Sequence, residues 1–234
     1  MRFKINFTQN TTPISIEKSC EILNSYIHRC LGEDNPYHDK FSQYSISSFQ
    51  GGKLGKDGNL DFKDGMYIIV SIPEKNTTFF SDLIKGIMSG VEVGYGMKFI
   101  NIEPLTIEVG KKFDYIQTIS PIILKSKETN KFLTFNDGKF INELTNRCVK
   151  KLQYYDENIN LSDFKIEVVS LYGKNKIKRI KVKDFNNKAN MVRLKITGNA
   201  NTRKILYELG IGSSTGSGFG AVKTLTNSYN RDKY

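Results

Sequence analysis

The two histidines of the chain, His28 and His38, fall within eleven residues of each other, and Tyr37, Lys40 and Tyr44 gather around the second. Imidazole titrates near neutral pH and can give or take a proton. Such a set suits cleavage of an RNA strand by its own 2′-hydroxyl. That reaction needs a base for the hydroxyl, an acid for the departing 5′-oxygen and positive charge beside the developing phosphorane. His38 is the first candidate for base or acid, and Lys40 for charge stabilisation. His28 and Tyr44 are candidates for support, and Tyr37 or Tyr44 could orient the phosphate. A lone histidine is more often structural, but His38 sits in a polar loop, and loops carry function disproportionately. Asp57, Asp61 and Asp64 lie in a glycine-rich hairpin, where turn duty explains them better than a two-metal site does. No metal or cofactor is expected.

A second feature is the segment from Gly210 to Gly220, with five glycines in eleven residues. Glycine lets a backbone approach a ligand closely, and successive N–H groups can form a concave anion site. Gly212, Ser213, Ser214, Thr215, Gly216 and Gly218 are therefore candidate RNA contacts. The segment follows a helix pattern rather than a strand and lacks Gly-Lys-Ser/Thr, so it fits neither a dinucleotide fingerprint nor a P-loop. The competing reading is a tight loop packed between the last helix and the closing strand.

The third feature is basic. Lys174, Lys176, Lys178, Arg179, Lys181 and Lys183 fall within ten residues, interleaved with Ile177, Ile180 and Val182. This reads as a strand with one buried side and its cations along one surface, at a pitch that could track phosphates. Arg193 extends the surface. A solvated charged edge is the competing reading. The formal net charge is +11, and it is uneven. Residues 1–117 hold 13 basic and 14 acidic side chains, and residues 118–234 hold 22 and 10. A localised excess is the footprint of a polyanionic partner.

The three cysteines, Cys20, Cys30 and Cys148, are widely spaced and form no C-x-x-C pair, so buried free thiols in a reducing compartment are expected. The first residues carry no signal-peptide pattern, and no apolar run is long enough to span a bilayer. A cytoplasmic protein without membrane contact is expected.

These groups need elements to hold them. Phe3, Ile5 and Phe7 alternate as in a half-buried strand. Ile16, Cys20, Leu23, Ile27 and Leu31 make the stripe of a helix with Ser15 as N-cap and Gly32 as stop. Strands are expected over 44–49 and 66–72, a helix over 76–89, and strand structure over 98–109. The second half starts near the apolar run 116–124, punctuated by Ser120-Pro121, and continues with a strand at 131–135 and a helix at 139–155. Strands at 165–171, 177–183 and 191–197 follow, then a helix at 200–208 and a closing strand at 221–225. The order predicts an α+β protein of two tandem ferredoxin-like (RRM-like) βαββαβ domains, over 1–115 and 116–234.

The terminal Gly-Ile-Gly-Ser-Ser-Thr-Gly-Ser-Gly-Phe-Gly-Ala-Val resembles the glycine-rich motif of the CRISPR repeat-processing endoribonucleases. Leu23 to Gly32 with the His38 loop, Ile119-Ser120-Pro121-Ile122, and the Lys/Arg/Ile strand before Met191 to Gly198 resemble the same family in the same order. The resemblance implies two ferredoxin-like folds and metal-independent cleavage of CRISPR repeat RNA, leaving crRNAs with 2′,3′-cyclic phosphate ends. It places His38 at the family's histidine position, Lys40 at a helper position, and His28 where some members have tyrosine. A non-catalytic repeat-binding subunit of an effector complex is the alternative, and a nucleotide-binding enzyme ranks last. Other CRISPR-associated proteins and a homodimer are left open as partners.

Overall fold

The computed structural model of the chain describes residues 1–37, 40–106, 113–170, 174–182 and 185–225. His38 and Lys183 lie outside them.

The first unit opens with strand β1 (Arg2–Phe7), whose Ile5 and Phe7 are buried while Phe3 stacks on Phe80 at 4.0 Å. After a two-residue strand β2 (Ile14–Ser15) comes helix α1 (Ser19–Leu31), then β3 (Ser45–Ile46) and a small hairpin, β4 (Lys53–Leu54) and β5 (Asn59–Asp61). Strand β6 (Met66–Ser71), helix α2 (Thr77–Met88) and β7 (Phe99–Pro104) complete it. The sheet runs β3-β6-β1-β7 with every neighbouring pair antiparallel.

The second unit repeats the plan with β8 (Tyr115–Thr118), α3 (Phe140–Tyr155), β9 (Lys165–Val169), the hairpin β10 (Lys176–Val182) and β11 (Phe185–Met191), β12 (Arg193–Thr197), α4 (Ala200–Leu209) and β13 (Val222–Thr224). Its sheet runs β13-β8-β12-β9. In both units the order is fourth, first, third, second strand, which is the ferredoxin-like arrangement. In both, a hairpin is inserted between the second and third strands. Each unit has its own buried core, one centred on Ile5, Tyr26, Ile68 and Leu83, the other on Ile116, Leu144, Leu194 and Leu206. Each fully buried Leu or Ile contributes roughly 1.5–3 kcal/mol.

Several expectations change. Ser15 does not cap α1: it pairs with Asn59 in the small sheet, and Ile16 is 40% exposed. The helix starts one turn later because the Lys18 and Ser19 N–H groups bond back to Ser15 and Ile16 in a tight turn. The stop at Gly32 holds, with φ of 82° and its N–H on the Arg29 carbonyl. Residues 131–135 form no strand beyond a single bridge between Lys125 and Phe132; buried Asn190 holds this loop instead, giving its amide to the Ile122 and Leu133 carbonyls and accepting from Phe135 N. Strand β11, from Phe185 to Met191, is an addition to the sequence reading.

The hairpin β10–β11 is a two-stranded ribbon. Its alternation sets Lys176 and Lys178 on one face and Arg179 and Lys181 on the other, so the cations do not share one surface. Ile177 is 42% exposed rather than buried, because a lone ribbon has no second layer to cover it. Among the described residues, no helix is long and apolar enough to cross a membrane.

Candidate active site

The two units meet along a dense seam. The Arg2 guanidinium is buried over the Tyr207 ring and donates to the Val222 carbonyl at 2.6 Å. Burial holds its pKa below the usual arginine value, with Tyr207 and Glu208 opposing that shift. Ser45 Oγ donates to the Glu208 carbonyl at 2.9 Å, and Ser48 N donates to Ser120 Oγ at 2.7 Å. At one end of the seam a cleft of about 490 Å³ opens between α1, the segment 40–44, α3 and the glycine-rich loop.

Helix α1 brings His28 to this cleft, with Asn24 one turn earlier. Asn35 fixes the imidazole: its Oδ1 accepts from Tyr37 N at 2.9 Å, which points its Nδ2 at His28 Nδ1, 3.1 Å away. An amide nitrogen donates, so Nδ1 is the acceptor and the proton of the neutral ring belongs on Nε2. Lys40 is exposed at the rim, and Tyr37 and Tyr44 line the wall. Tyr37 gives its hydroxyl hydrogen to Asp82 at 2.9 Å; burial and that bond push its pKa up to about 12. Tyr44 is 7% exposed and stacked on Phe79 at 3.5 Å; burial, with Tyr37 adding to it, pushes its pKa up to about 12. Both phenols are therefore neutral at physiological pH, able to donate but not to act as bases.

The glycine-rich loop closes the cleft and is built for proximity. A Cβ at Gly216 would lie 2.8 Å from Ser42 Oγ and from the Tyr44 ring; one at Gly210 would lie 2.8 Å from Ser45 Cβ. Gly212, Thr215, Gly216 and Gly218 are buried, while Ser213 and Ser217 are half-buried and Ser214 is exposed. Several loop amides have internal partners: Ile211 N bonds Gly220 O, Ser213 N bonds Ile123 O, Ser217 N bonds Ser214 O and Gly220 N bonds Pro121 O. The side chains of Ser213, Ser214 and Ser217 are accessible polar groups of the loop.

Two cations of α3 were not anticipated. Arg147 lines the cleft, and Lys151 is 3% exposed, donating to the Leu209 and Gly210 carbonyls at 3.3 Å and to Thr215 Oγ at 3.0 Å. Burial lowers its pKa to about 8. The signal was present in the sequence: Lys151 continues the apolar stripe Phe140, Leu144, Cys148. A second cleft, of about 410 Å³, lies beyond the segment 40–44 and shares Tyr37, Lys40, Phe41 and Tyr44 with the first. Tyr154 enters there, tilted against Phe41 at 5.6 Å. Arg147, Lys151 and Tyr154 thus occur at spacings of four and three along one helix face.

The remaining candidates lie apart. None of the cleft's lining residues comes from β10–β11. Lys174, Lys176, Lys178 and Arg179 are exposed, and Lys181 pairs with Glu17 at 3.4 Å. Arg193 gives its guanidinium to the Lys174 carbonyl at 3.3 Å and its N–H to Asn175, anchoring the base of the hairpin. Asp57 caps its own turn, accepting from Asn59 N at 3.1 Å and Asn59 Nδ2 at 2.8 Å, which lowers its pKa. Among the described residues no three His, Cys, Asp or Glu side chains gather as a metal set would.

Residues 102–224 match the family model described as CRISPR associated protein Cas6, C-terminal. The CRISPR-associated endoribonuclease Cas6 1 of Methanocaldococcus jannaschii is 28% identical over 203 residues, 83% of this chain and 77% of that protein. The putative CRISPR-associated endoribonuclease-like protein Cas6 of Pyrococcus furiosus is 30% identical over 182 residues, 66% of this chain and 73% of that protein. A solved structure described as CRISPR associated protein Cas6 superposes with a TM-score of 0.78 at 27% identity, covering 97% of this chain and 99% of the other. A Cas6-related protein from Pyrococcus furiosus, at 21% identity and a TM-score of 0.80 over 96% of this chain and 98% of its own, shares the fold. With more than half of its length inside the family model and both units matched by these relatives, the chain belongs to the Cas6 family of CRISPR-associated proteins.

Proposed function

We propose that the chain is an endoribonuclease that cuts CRISPR repeat RNA in precursor transcripts by attack of the 2′-hydroxyl, without a metal ion, leaving a 2′,3′-cyclic phosphate. The observation that carries this reading is the cleft at the seam, where a tautomerically fixed His28 shares walls with Lys40, Arg147 and the serines of the glycine loop. Family membership supports the substrate, since the curated relatives are named as CRISPR-associated endoribonucleases.

In this mechanism His28 acts in its imidazolium form, gives its Nε2 proton to the departing 5′-oxygen and returns to a neutral ring. His38, next to Tyr37 in the sequence, takes the proton of the 2′-hydroxyl. Lys40 and Arg147 place positive charge beside the phosphorane as its charge grows. The basic ribbon β10–β11 holds the phosphates of the repeat away from the cleft, and Ser213, Ser214 and Ser217 hold those within it.

The test is cleavage of the cognate repeat RNA in EDTA by wild type, His38→Ala and His28→Ala, with a 2′-deoxy substitution at the scissile nucleotide as control. Cutting by wild type, abolished by the deoxy substitution and reduced by about a hundredfold or more in each variant, is expected. Tight binding without cutting would convert the reading to a repeat-binding subunit.

A further inference from the structure

Beside the cleft, on the side away from Tyr154, lies a larger chamber of about 760 Å³. The two are continuous: Asn24, Arg147, Ser213, Ser214 and Ser217 line both. The chamber's wall is chemically mixed. Phe132 is half-buried, and the Lys125 ammonium lies 4.8 Å from its ring centre. Ile123 and Phe219 add apolar surface next to it, while Asn24, Asn130 and Glu21, with Cys20 and Asn187, also line the wall. Among the described residues the Arg147 side chain has no hydrogen bond or ion pair, so its guanidinium, which lines both chambers, stands without an internal partner.

A phosphate site would be walled by donors, and a site for an aliphatic side chain would lack the amides. An aromatic face combined with amide edges and flanking cations matches an unpaired nucleobase. Its π-face stacks on an aromatic ring, and its edge offers both donors and acceptors. Asparagine pairs with such an edge through two hydrogen bonds, and a carboxylate accepts from an exocyclic amine. We propose that this chamber receives one unpaired base of the RNA next to the nucleotide being cut, stacked on Phe132 and read by Asn24 and Asn130. Arg147 binds the phosphate between that base and the cutting position, and Lys125 meets the phosphate on the far side. The inference rests on the repeat-cutting reading for its ligand, and adds to it a position of sequence discrimination.

The experiment uses repeat RNAs made uncleavable by a 2′-deoxy scissile nucleotide, each with one base replaced by an abasic ribose. Binding is measured for wild type, Phe132→Leu and Asn24→Ala. Leucine keeps apolar volume without a stacking face, and alanine suits the half-buried helix position of Asn24. With wild type, one abasic position close to the cut lowers affinity about tenfold. Phe132→Leu lowers affinity for the intact RNA by a similar factor and no longer responds to that abasic position; Asn24→Ala loses part of the same response. A Phe132→Leu protein that binds intact RNA like wild type, or keeps the full abasic response, overturns the proposal. Cutting of unmodified RNA is scored separately, so failure of wild type to cut counts against the nuclease reading while the binding series still decides the chamber.

Discussion

The Lys151 ammonium donates to Thr215 Oγ at 3.0 Å, and Thr215 passes its own hydroxyl hydrogen to the Tyr44 carbonyl at 3.0 Å. A buried cation of the second unit therefore reaches the first through one hydroxyl. Because the same ammonium also serves the Leu209 and Gly210 carbonyls, it holds the end of α4, the start of the glycine loop and the cleft wall together.

Lys151→Met leaves these acceptors without their donor, and a loss of about 2 kcal/mol in stability is expected from urea unfolding. The pH dependence has a defined sign. Burial lowers the folded-state pKa to about 8 from the usual 10.5. Between these values the unfolded chain keeps a proton that the folded chain has released. Wild type therefore gains stability relative to Lys151→Met as pH rises from 8 to 10.5, by up to about 1.4 kcal/mol per pH unit, with a flat difference below pH 7. A difference that stays constant from pH 6 to 10 would contradict the burial of this charge.

Asn35→Asp tests the role of His28. The carboxylate would accept from Nδ1 where the amide now donates to it, inverting the tautomer and favouring the imidazolium. The limb of the pH–rate profile governed by His28 should move up by about one pH unit. An unmoved profile would remove His28 from the proton transfers.

The ribbon cations are expected to act on affinity alone. Replacing Lys176, Lys178 and Arg179 together by alanine should reduce the slope of log affinity against log salt by about 2–3, with the cleavage rate at saturating RNA unchanged. Filter binding between 50 and 300 mM salt reads the first, single-turnover cleavage the second.

Gly216→Ala should separate the units locally. The new Cβ lies 2.8 Å from both Ser42 Oγ and Tyr44 Cε2, and the Tyr44 ring is itself held against Phe79. A loss of about 1–3 kcal/mol is expected, together with slowed cutting as the loop shifts. Thermal unfolding and single-turnover rates measure the two effects.

Much of this molecule is visible in its sequence because the periodicities are strong. The helices over Ser19–Leu31, Thr77–Met88, Phe140–Tyr155 and Ala200–Leu209 all follow apolar stripes, and the strands of both sheets follow alternation. What escapes is structure held by polar groups. Strand β11 reads Phe-Asn-Asn-Lys-Ala-Asn-Met, where three asparagines and a lysine mask the sparse apolar positions of a two-stranded ribbon. Ser15 has the residue type of a helix cap but is taken by a pairing with Asn59, more than forty residues away. Lys150 and Lys151 look alike in sequence; only the stripe Phe140, Leu144, Cys148 tells that the second points inward.

The spacing of Arg147, Lys151 and Tyr154 carries one more implication. Seven residues of helix span about 10 Å, so a single rigid rod holds Arg147 in the first cleft and Tyr154 in the second at a fixed separation, with buried Lys151 between them tying the rod to the glycine loop. His28 stands on the other unit. The imidazole and the rod are thus separate pieces, and their relative placement is set by how the two units are aligned across the seam.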